Sequence, residues 1–516
     1  MRDLSKSKLM AFRQCPRRLW LAVHAPELEQ TSADTEARFA AGYQVGDIAR
    51  TLYDPKGRGR LIDRDALGFP AVFEATQQAL PQRRPLFEAA FRLPGALALA
   101  DVLLPVGRSQ WRMVEVKSST SVKPQYLDDL AIQTFIASRA GVSLAGVALA
   151  HIDSRWVYPG GGDYRGLMHE VDLTGEVQER LHAVPQWIAQ AQAVVAGSEP
   201  TAITTGAQCD NPYPCGFYEH CRSAEPAVEQ PVQWLPRLRA QQWIEQGIVD
   251  LRDVPRAALN PQQQRVQDCH KRGRVFFDRK GAAADLAPYP LPAVFMDFET
   301  IQFAVPIWAG TRPYQQIPFQ YSVHRLHADG TLAHREFLDL SGSDPSRAFA
   351  ERLIRDCGKR EPVFVYNAAF ETARLRELSE RFADLAKPLQ GIVNRVVDLL
   401  PVARERYYHP SQQGSWSIKA VLPAAVPDLS YADLDGVQDG GGAQAAFLEA
   451  IHPQTAERRR SELQRQLLAY CQLDTYAMVR LWGVLAGKGK PRRIGNGLSS
   501  MNKSPTKRTT NEAHSQ

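Results

Sequence analysis

An apolar stretch that runs straight into two acidic residues constrains this chain more than any other feature. Residues 293–296 are Ala-Val-Phe-Met, and Asp297 and Glu299 follow with one residue between them. Side chains at positions i and i+2 of a strand point to the same face, so both carboxylates would project together from the end of a buried strand. Carboxylates are seldom buried unless they are paired or bind a metal. The pattern indicates a site for Mg2+ or Mn2+; the alternative is a strand that ends in a polar turn.

The length and composition of the chain predict several domains and no membrane span. A chain of 516 residues exceeds what one hydrophobic core supports. It contains no apolar run of the length that a transmembrane helix needs, and its first residues lack the apolar segment of a signal peptide. Seven cysteines, few and odd in number, are typical of a reducing compartment. We therefore expect a cytoplasmic protein.

The net charge of +6 does not indicate a nucleic-acid partner, because it is concentrated at the C-terminus. Residues 488–516 hold seven lysines and arginines against one glutamate, which leaves 55 basic and 55 acidic residues in the remainder. Residues 487–516 are rich in Gly, Ser, Thr and Asn, and we predict a basic disordered tail there.

Two predicted strands in the first half carry a second acidic pattern. Asp101 lies among leucines in one strand, and the next strand, over residues 111–117, places Glu115 and Lys117 on one face. Opposite charges on a buried face are costly unless they act together. Asp101 and Glu115 could hold a metal, and Lys117 could orient or deprotonate an attacking water.

The spacing of Asp101 and Glu115-Val-Lys117 resembles that of the PD-(D/E)XK nucleases, in particular the RecB-type branch that includes the CRISPR adaptation nuclease. A predicted helix over residues 124–140 and a strand that follows it give the strand–strand–helix–strand order of that family. Gln133 on this helix matches the glutamine of the branch. Where the branch often has Gly-x-x-x-His upstream, this chain has Gly-x-x-x-Gly, ending at Gly46. The resemblance implies a nuclease domain over residues 1–223.

Three cysteines near the end of that domain, Cys209, Cys215 and Cys221, have five residues between successive members. Three soft ligands leave zinc or an iron–sulfur cluster one ligand short, and Cys15, in a helix predicted over residues 5–20, could be the fourth. RecB-type nucleases with an iron–sulfur staple use one N-terminal and three C-terminal cysteines, so the resemblance implies a [4Fe–4S] cluster. The alternatives are a zinc ion and cysteines that bind no metal. We expect the other three cysteines, Cys269, Cys357 and Cys471, to be ordinary thiols.

The region after this domain divides into a connector and a second domain. Residues 224–292 are rich in Pro and Gln, with helical patterns at 233–247 and 261–273. We predict a packed spacer; the alternative is a helical hairpin that touches a nucleic-acid backbone. Residues 293–486 then predict three strands, a helix, a strand and a helix, which is the order of the ribonuclease-H-like fold.

The acids of the second domain fall in a familiar order. Three motifs occur in order: Asp297-x-Glu299, Asn-x-x-Phe-Glu ending at Glu371, and Tyr470-x-x-x-Asp474. They resemble the three motifs of DnaQ-like (DEDD) 3′–5′ exonucleases of the tyrosine subclass. The second motif departs by carrying Glu where Asp is usual. The resemblance implies that the four acids hold two divalent ions across a scissile phosphate and that Tyr470 positions the water.

Two further residues lie between the motifs. We interpret Asp398 as a strand-end cap. Lys419 ends the stretch Gly-Ser-Trp-Ser-Ile-Lys, which resembles a bacterial family of unassigned function that fuses these two halves. We predict a solvated lysine; the alternative is a phosphate contact.

The sequence therefore predicts an α/β protein in which a PD-(D/E)XK domain, a helical connector and a ribonuclease-H-like mixed-sheet domain follow one another. The expected activity is metal-dependent hydrolysis of DNA, in the 3′–5′ direction on single-stranded ends. The alternatives are a nucleic-acid-binding scaffold with one or both sites inactive and a ribonuclease, because metal-assisted phosphodiester hydrolysis does not depend on the sugar.

Overall fold

Two mixed β-sheets organise the chain, and helices pack against both of them. The computed structural model describes residues 2–69 and 71–493. Within these residues the fold is mixed α/β, which confirms the predicted fold class. Residues 494–516, most of the predicted tail, lie outside the described residues. None of the described helices is both long enough and apolar enough to cross a membrane.

The first sheet has seven strands. The helices and strands of this half are β1 (Leu4–Ser5), α1 (Lys6–Gln14), α2 (Pro16–His24), α3 (Ala33–Tyr53), β2 (Arg60–Leu61), α4 (Arg64–Leu67), α5 (Ala71–Ala79), β3 (Leu86–Leu93), β4 (Ala96–Val106), β5 (Gln110–Lys117), α6 (Pro124–Arg139), β6 (Leu144–Ile152), β7 (Met168–Asp172), α7 (Thr174–Arg180), α8 (Val184–Ala196) and α9 (Tyr218–Ser223). The strand order is β2-β3-β4-β5-β6-β7, and β1 pairs with β4. Because β5 and β6 are parallel and α6 joins them, the predicted strand–strand–helix–strand order is present.

The single helix predicted over residues 5–20 is wrong. Two helices, α1 and α2, meet at Cys15, whose backbone is extended. The cause is Pro16, since a proline disfavours helical backbone in the residue before it and is well placed at the first position of a new helix. Cys15 therefore lies in the break between the helices rather than inside one.

The connector packs on the second half of the chain. Its helices and strand are α10 (Ala240–Ile244), α11 (Pro261–Arg272), β8 (Phe276–Phe277) and α12 (Arg279–Leu286). The buried side chains of Val232, Leu235 and Val266 share a hydrophobic cluster with Phe295 of the second sheet. The helix predicted from residue 233 begins only at residue 240, because a proline at 236 interrupts it.

The second half is built on a six-stranded sheet. Its helices and strands are β9 (Ala293–Ile301), β10 (Ile317–Leu326), β11 (Thr331–Leu338), α13 (Ser346–Cys357), β12 (Val363–Val365), α14 (Ala368–Arg381), α15 (Ala386–Val393), β13 (Val396–Asp398), α16 (Leu399–Arg406), β14 (Tyr407–Tyr408), α17 (Ile418–Ala425), α18 (Gly440–Ile451), α19 (Glu457–Leu485) and β15 (Arg492–Arg493). The order is β13-β12-β9-β10-β11-β15, and β14 pairs with β8 outside this sheet. β9 is central, antiparallel to β10 and parallel to β12. The predicted order of three strands, helix, strand and helix is present.

The second sheet extends further along the chain than predicted. We placed the start of the disordered tail at residue 487, but Arg492 and Arg493 form β15, which pairs in parallel with β11. The backbone N–H of Arg492 donates to the carbonyl oxygen of Gly330 at 2.7 Å. The pairing satisfies backbone groups that an open edge strand would leave without partners.

The two halves touch through a small apolar cluster. Ile152 and Leu167 of the first half pack with Ala304 and Val305 of the second. Beside this cluster, the backbone N–H of Tyr158 donates to a carbonyl of the second half at 2.9 Å.

Candidate functional site

Three carboxylates converge on β9. The strand continues to Ile301, so Asp297 and Glu299 lie within it and not at its end as predicted, because both residues pair with β10. β9 presents Asp297 and Glu299 on one face, and the long helix α19 crosses β9 and β10 to bring Asp474 to them. Ligand oxygens of these three residues all lie within 4.8 Å of one another, the one such group among the described residues. Tyr470 lies one helical turn before Asp474 on α19 and is buried. The structure thus brings together the first and third predicted motifs.

The second predicted motif supplies a fourth carboxylate. Glu371 lies in the first turn of α14 and is only 3% exposed. Its Oε2 and the Oδ2 of Asp474 are buried and have no hydrogen-bond partner among the residues that the structure describes. Glu371 stands outside the group of three, yet its charge is among those that raise the pKa of Asp297. It therefore borders the site.

Burial and mutual repulsion disfavour the state in which all four acids are ionised. Burial and the charges of Asp474, Glu371 and Glu299 raise the pKa of Asp297 well above its usual range. Burial raises the pKa of Glu299 to about 8, and the charge of Asp474 adds to this. Burial also raises the pKa of Glu371 to about 8 and that of Asp474 to about 6. Clustered buried carboxylates favour protonation or a bound cation.

Two residues that the sequence did not assign to the site face Asp474. The hydroxyl of Tyr431 donates to Asp474 Oδ1 at 2.5 Å. Lys419 Nζ lies 5.3 Å from the ring centroid of Tyr431 and 5.1 Å from that of Tyr470, and it donates to the carbonyl of Gln438 at 2.8 Å. The charge of Lys419 lowers the pKa of Glu299 and of Asp474, against the stronger effect of burial.

The prediction that Lys419 is an ordinary solvated lysine is therefore wrong. Ser417 caps the start of α17, accepting a hydrogen bond from the backbone N–H of Ala420, and this start directs Lys419 to the carboxylates. The Gly-Ser-Trp-Ser-Ile-Lys stretch is recognisable in the sequence. The packing of α17 against α19 is a tertiary contact that no local pattern predicts.

Asp398 caps two helices, which confirms its predicted role as a strand-end cap. Its carboxylate accepts hydrogen bonds from the backbone N–H of Leu400 at 2.9 Å and from those of Asn367 and Ala368 at 3.0 Å. These bonds fix the start of α14, where Asn367 adopts a left-handed backbone with φ 81°. Asp398 thereby holds the turn that presents Glu371.

The four residues predicted for the first half also meet. The backbone N–H of Val116 donates to Asp101 Oδ2 at 2.8 Å. Glu115 Oε1 accepts from Lys117 Nζ at 2.6 Å, and Glu115 Oε2 accepts from Gln133 Nε2 at 2.6 Å. Asp101, Glu115, Lys117 and Gln133 thus form one cluster around β4, β5 and α6.

Two further charged residues form ion pairs in this cluster, and sequence reasoning missed both. Lys6 Nζ, at the start of α1, lies 2.9 Å from Glu115 Oε1 and 3.2 Å from Asp129 Oδ1. Asp129 Oδ2 accepts from Lys117 Nζ at 2.8 Å. The spacing of Asp129 and Gln133, one turn apart on α6, was a readable signal for the second of these. Nothing in the sequence connected Lys6 to a strand more than a hundred residues away.

The charges around Lys117 affect its protonation. Burial lowers its pKa, but the charges of Asp129 and Glu115 outweigh burial and raise the pKa well above the ordinary value. Lys117 is therefore protonated in this arrangement. Both oxygens of Glu115 are occupied by internal donors, unlike the partnerless oxygens of Glu371 and Asp474.

The four predicted cysteine ligands line one small cavity, together with Arg17 and Arg18. Cys15 comes from the break between α1 and α2, and Cys209, Cys215 and Cys221 come from the segment that leads into α9. Among the described residues, no three of these sulfur atoms lie within 4.8 Å of one another. The other three cysteines, Cys269, Cys357 and Cys471, are buried thiols, as predicted.

Two comparisons with known proteins match parts of the chain. A family model described as a domain of unknown function, DUF2779, matches residues 294–417, which include Asp297, Glu299 and Glu371. An uncharacterised protein of Mycoplasma pneumoniae (strain ATCC 29342 / M129 / Subtype 1), described as an MG366 homologue, is 25% identical over 249 residues. That match covers 43% of this chain and 37% of the relative, so the chain spans well under half of the relative's length.

Proposed function

We propose that this chain is a metal-dependent nuclease and that its C-terminal carboxylates form the cleaving site. The observation that carries the proposal is the convergence of Asp297, Glu299 and Asp474, with ligand oxygens within 4.8 Å of one another, beside buried carboxylate oxygens that lack partners. The order of these acids along the chain resembles that of DnaQ-like exonucleases, which supports the same chemistry.

The donor set fits hard divalent cations, because every candidate ligand is a carboxylate oxygen. Asp297, Glu299 and Asp474 would hold Mg2+ or Mn2+, with Glu371 as the fourth ligand. Bound ions would supply Lewis-acid activation of water and neutralise charge at the phosphate.

The tyrosines beside the carboxylates keep their protons. Burial raises the pKa of Tyr470 and of Tyr431, and the charge of Asp474 raises both further. Tyr431 therefore donates to one oxygen of Asp474 and orients it, while Oδ2 of Asp474 has no hydrogen-bond partner within residues 2–69 and 71–493. Tyr470 also interacts with Asp474 as a hydrogen-bond donor, and its hydroxyl can orient an attacking water beside that carboxylate, the role that the resemblance assigns to it.

Replacing Lys419 with methionine is expected to separate two effects. The ammonium lies against the rings of Tyr431 and Tyr470 and lowers the pKa of two ligands, so its removal should tighten Mn2+ binding severalfold, because one repelling cation is lost. The same change should lower kcat about 10²-fold, the scale of losing one group that stabilises transition-state charge. Calorimetric titration with Mn2+ and steady-state cleavage measure the two effects. Lys419→Arg is the control that keeps the charge. A kcat equal to that of wild type in Lys419→Met would contradict the proposal that Lys419 stabilises charge in the transition state.

The first-half cluster supports a binding or orienting role more directly than a second cleaving site. Lys6 and Lys117 already neutralise Glu115 and Asp129. Asp101 and Glu115 would hold a divalent ion there only if Lys6 moved away from Glu115. We assign this cluster to nucleic-acid binding, in which Lys6 and Lys117 would contact a phosphate after leaving their carboxylate partners.

The cysteines fit a thiolate-bound cluster. Cys15, Cys209, Cys215 and Cys221 would hold a [4Fe–4S] cluster that ties the first two helices to the end of the domain. Zinc is the alternative: four thiolates at about 2.3 Å from one ion bring their sulfurs within about 4 Å of one another, and among the described residues no three of these sulfurs lie within 4.8 Å of one another. Free cysteines and such a cluster are both consistent with a cytoplasmic location.

We take DNA, with single-stranded 3′ ends, as the substrate, from the resemblance to the exonucleases. The test uses anaerobically purified full-length protein with 5′-labelled and 3′-labelled single-stranded DNA and RNA of one sequence, in Mn2+ and in EDTA. We expect a descending ladder from the 5′-labelled DNA and early release of label from the 3′-labelled DNA. Both should require Mn2+. Preferential cleavage of RNA would make the protein a ribonuclease, and binding without cleavage by any metal would favour the scaffold alternative.

A further inference from the structure

A cavity of about 680 Å³ opens between the connector and the second half of the chain. One wall is formed by connector residues Gln233 and 235–238, and the opposite wall by Tyr366, Asn367 and residues 413–418. Its volume is in the range of ligand pockets, about 300–1,000 Å³, so nucleotide-sized groups fit.

Two arginines line the cavity without an internal partner. Arg237 is on the connector wall and Arg404 is on α16. Within the part of the chain that the structure describes, neither guanidinium has an ion pair or a hydrogen bond. Arg237 also holds a left-handed backbone, with φ 56°, a conformation that costs free energy in a non-glycine residue and is concentrated at functional positions. Unpaired guanidinium groups in a cavity recognise phosphate oxygens.

The cavity adjoins the carboxylate site at two points. Asn367, the residue that precedes α14, lines the cavity and lies four residues before Glu371. Ile418 lines it as well, and the next residue, Lys419, lies over the rings beside Asp474. A strand held in the cavity would therefore pass directly to the residues that face the scissile phosphate.

The connector wall is fixed in place by a close approach. Gly414 has φ +79°, and a Cβ at this position would lie 1.8 Å from the carbonyl oxygen of Trp234. Only glycine permits this contact, in both backbone conformation and space. Gly414, the first residue of the Gly-Ser-Trp-Ser-Ile-Lys stretch, thus lets the connector pack against the second half. Lys419, the last residue of the stretch, lies near the carboxylates.

We propose that this cavity is the entry groove for a single-stranded polynucleotide and that the connector is one of its walls. Arg237 and Arg404 contact phosphates of the strand that leads away from the scissile bond. The inference rests on the proposed nuclease function and deepens it, since it assigns the path of the substrate and gives the connector a binding role.

The test compares full-length protein with the double variant Arg237→Glu/Arg404→Glu. Arg239→Glu is the matched control, because Arg239 is a connector arginine that does not line the cavity. Fluorescence anisotropy in EDTA with a labelled single-stranded oligonucleotide measures binding over a range of salt concentrations. The double variant should bind about tenfold or more weakly, and the slope of log K against log salt should flatten by about 0.7 for each phosphate that the protein no longer neutralises. Arg239→Glu should bind as tightly as wild type. Arg237→Lys/Arg404→Lys, which keeps both charges, should bind more tightly than the double Glu variant and close to wild type.

Hydrolysis of a small phosphodiester, p-nitrophenyl thymidine 5′-phosphate, in Mn2+ separates the two proposals. Such a substrate has no strand to occupy the groove, so wild type and double variant should hydrolyse it at equal rates. Equal oligonucleotide affinity and salt slope in wild type and double variant would overturn the groove, whatever the hydrolysis shows. Absence of hydrolysis of both small and polymeric substrates by wild type, with groove-dependent binding, would overturn the nuclease function and leave the groove as a binding site.

Discussion

Replacing Asp297 with asparagine should abolish cleavage and make the metal-free protein more stable. The rate should fall by three orders of magnitude or more, a scale typical of losing one member of a catalytic group. The free energy of unfolding without divalent ions should rise by roughly 1–3 kcal/mol, because burial and the neighbouring carboxylates raise the pKa of Asp297 well above its usual range and a neutral amide avoids that penalty.

The sign of that stability change follows from the direction of the pKa shift. An acid whose pKa is higher in the folded than in the unfolded protein binds its proton more tightly in the folded state. The free energy of unfolding therefore falls as the pH rises from the unfolded pKa to the folded pKa. At neutral pH the cluster is therefore destabilising without a cation, and Asn at 297 removes part of that penalty.

Chemical denaturation in EDTA and thermal unfolding with and without Mn2+ measure these effects. Wild type should gain thermal stability on addition of Mn2+, and Asp297→Asn should gain little. A variant that is less stable than wild type in EDTA, or one that keeps the full Mn2+ stabilisation, would contradict the metal site.

Replacing Cys15 with serine should remove the visible absorbance of an iron–sulfur cluster and destabilise the first half of the chain. A cluster that joins Cys15 to Cys209 closes a loop of nearly two hundred residues, and a covalent cross-link of that span stabilises a fold by about 3–5 kcal/mol. The four cysteines line one cavity although Cys15 comes from the other end of the domain, so one substitution should be enough to lose the cluster.

Iron and sulfide content of anaerobically purified protein, together with denaturation curves, measure this effect. Cys269→Ser is the matched control, since Cys269 is a buried thiol of the connector. Protein that contains zinc and no sulfide would establish the zinc alternative, and unchanged stability and metal content in Cys15→Ser would contradict a metal centre of either kind.

Local patterns along the sequence account for most of what could be predicted. The i, i+2 rule placed Asp297 and Glu299 on one face of β9, and the i, i+4 rule placed Tyr470 and Asp474 on one face of α19. These rules depend on backbone geometry alone. The break at Cys15 was equally local, because Pro16 follows it, and a closer reading of that pair predicts two helices.

Long-range contacts account for what was missed. Lys6 reaches Glu115 across 109 residues, and Tyr431 reaches Asp474 across 43. Neither Lys6 nor Tyr431 belongs to a motif, and their positions depend on how whole helices dock on the sheets. Lys419 lies in a stretch that was noticed, yet its contact with the carboxylates depends on the packing of α17 against α19.

The most direct test of the central claim compares two single variants on one substrate. Wild type, Asp297→Asn and Lys117→Met are each incubated with 5′-labelled single-stranded DNA and Mn2+, and the rate of stepwise shortening is measured. The account predicts loss of shortening in Asp297→Asn and a rate in Lys117→Met that recovers towards wild type as the DNA concentration rises, because Lys117 serves binding. Loss of cleavage in Lys117→Met at saturating DNA, with Asp297→Asn as active as wild type, would place the cleaving site in the first half and contradict the account.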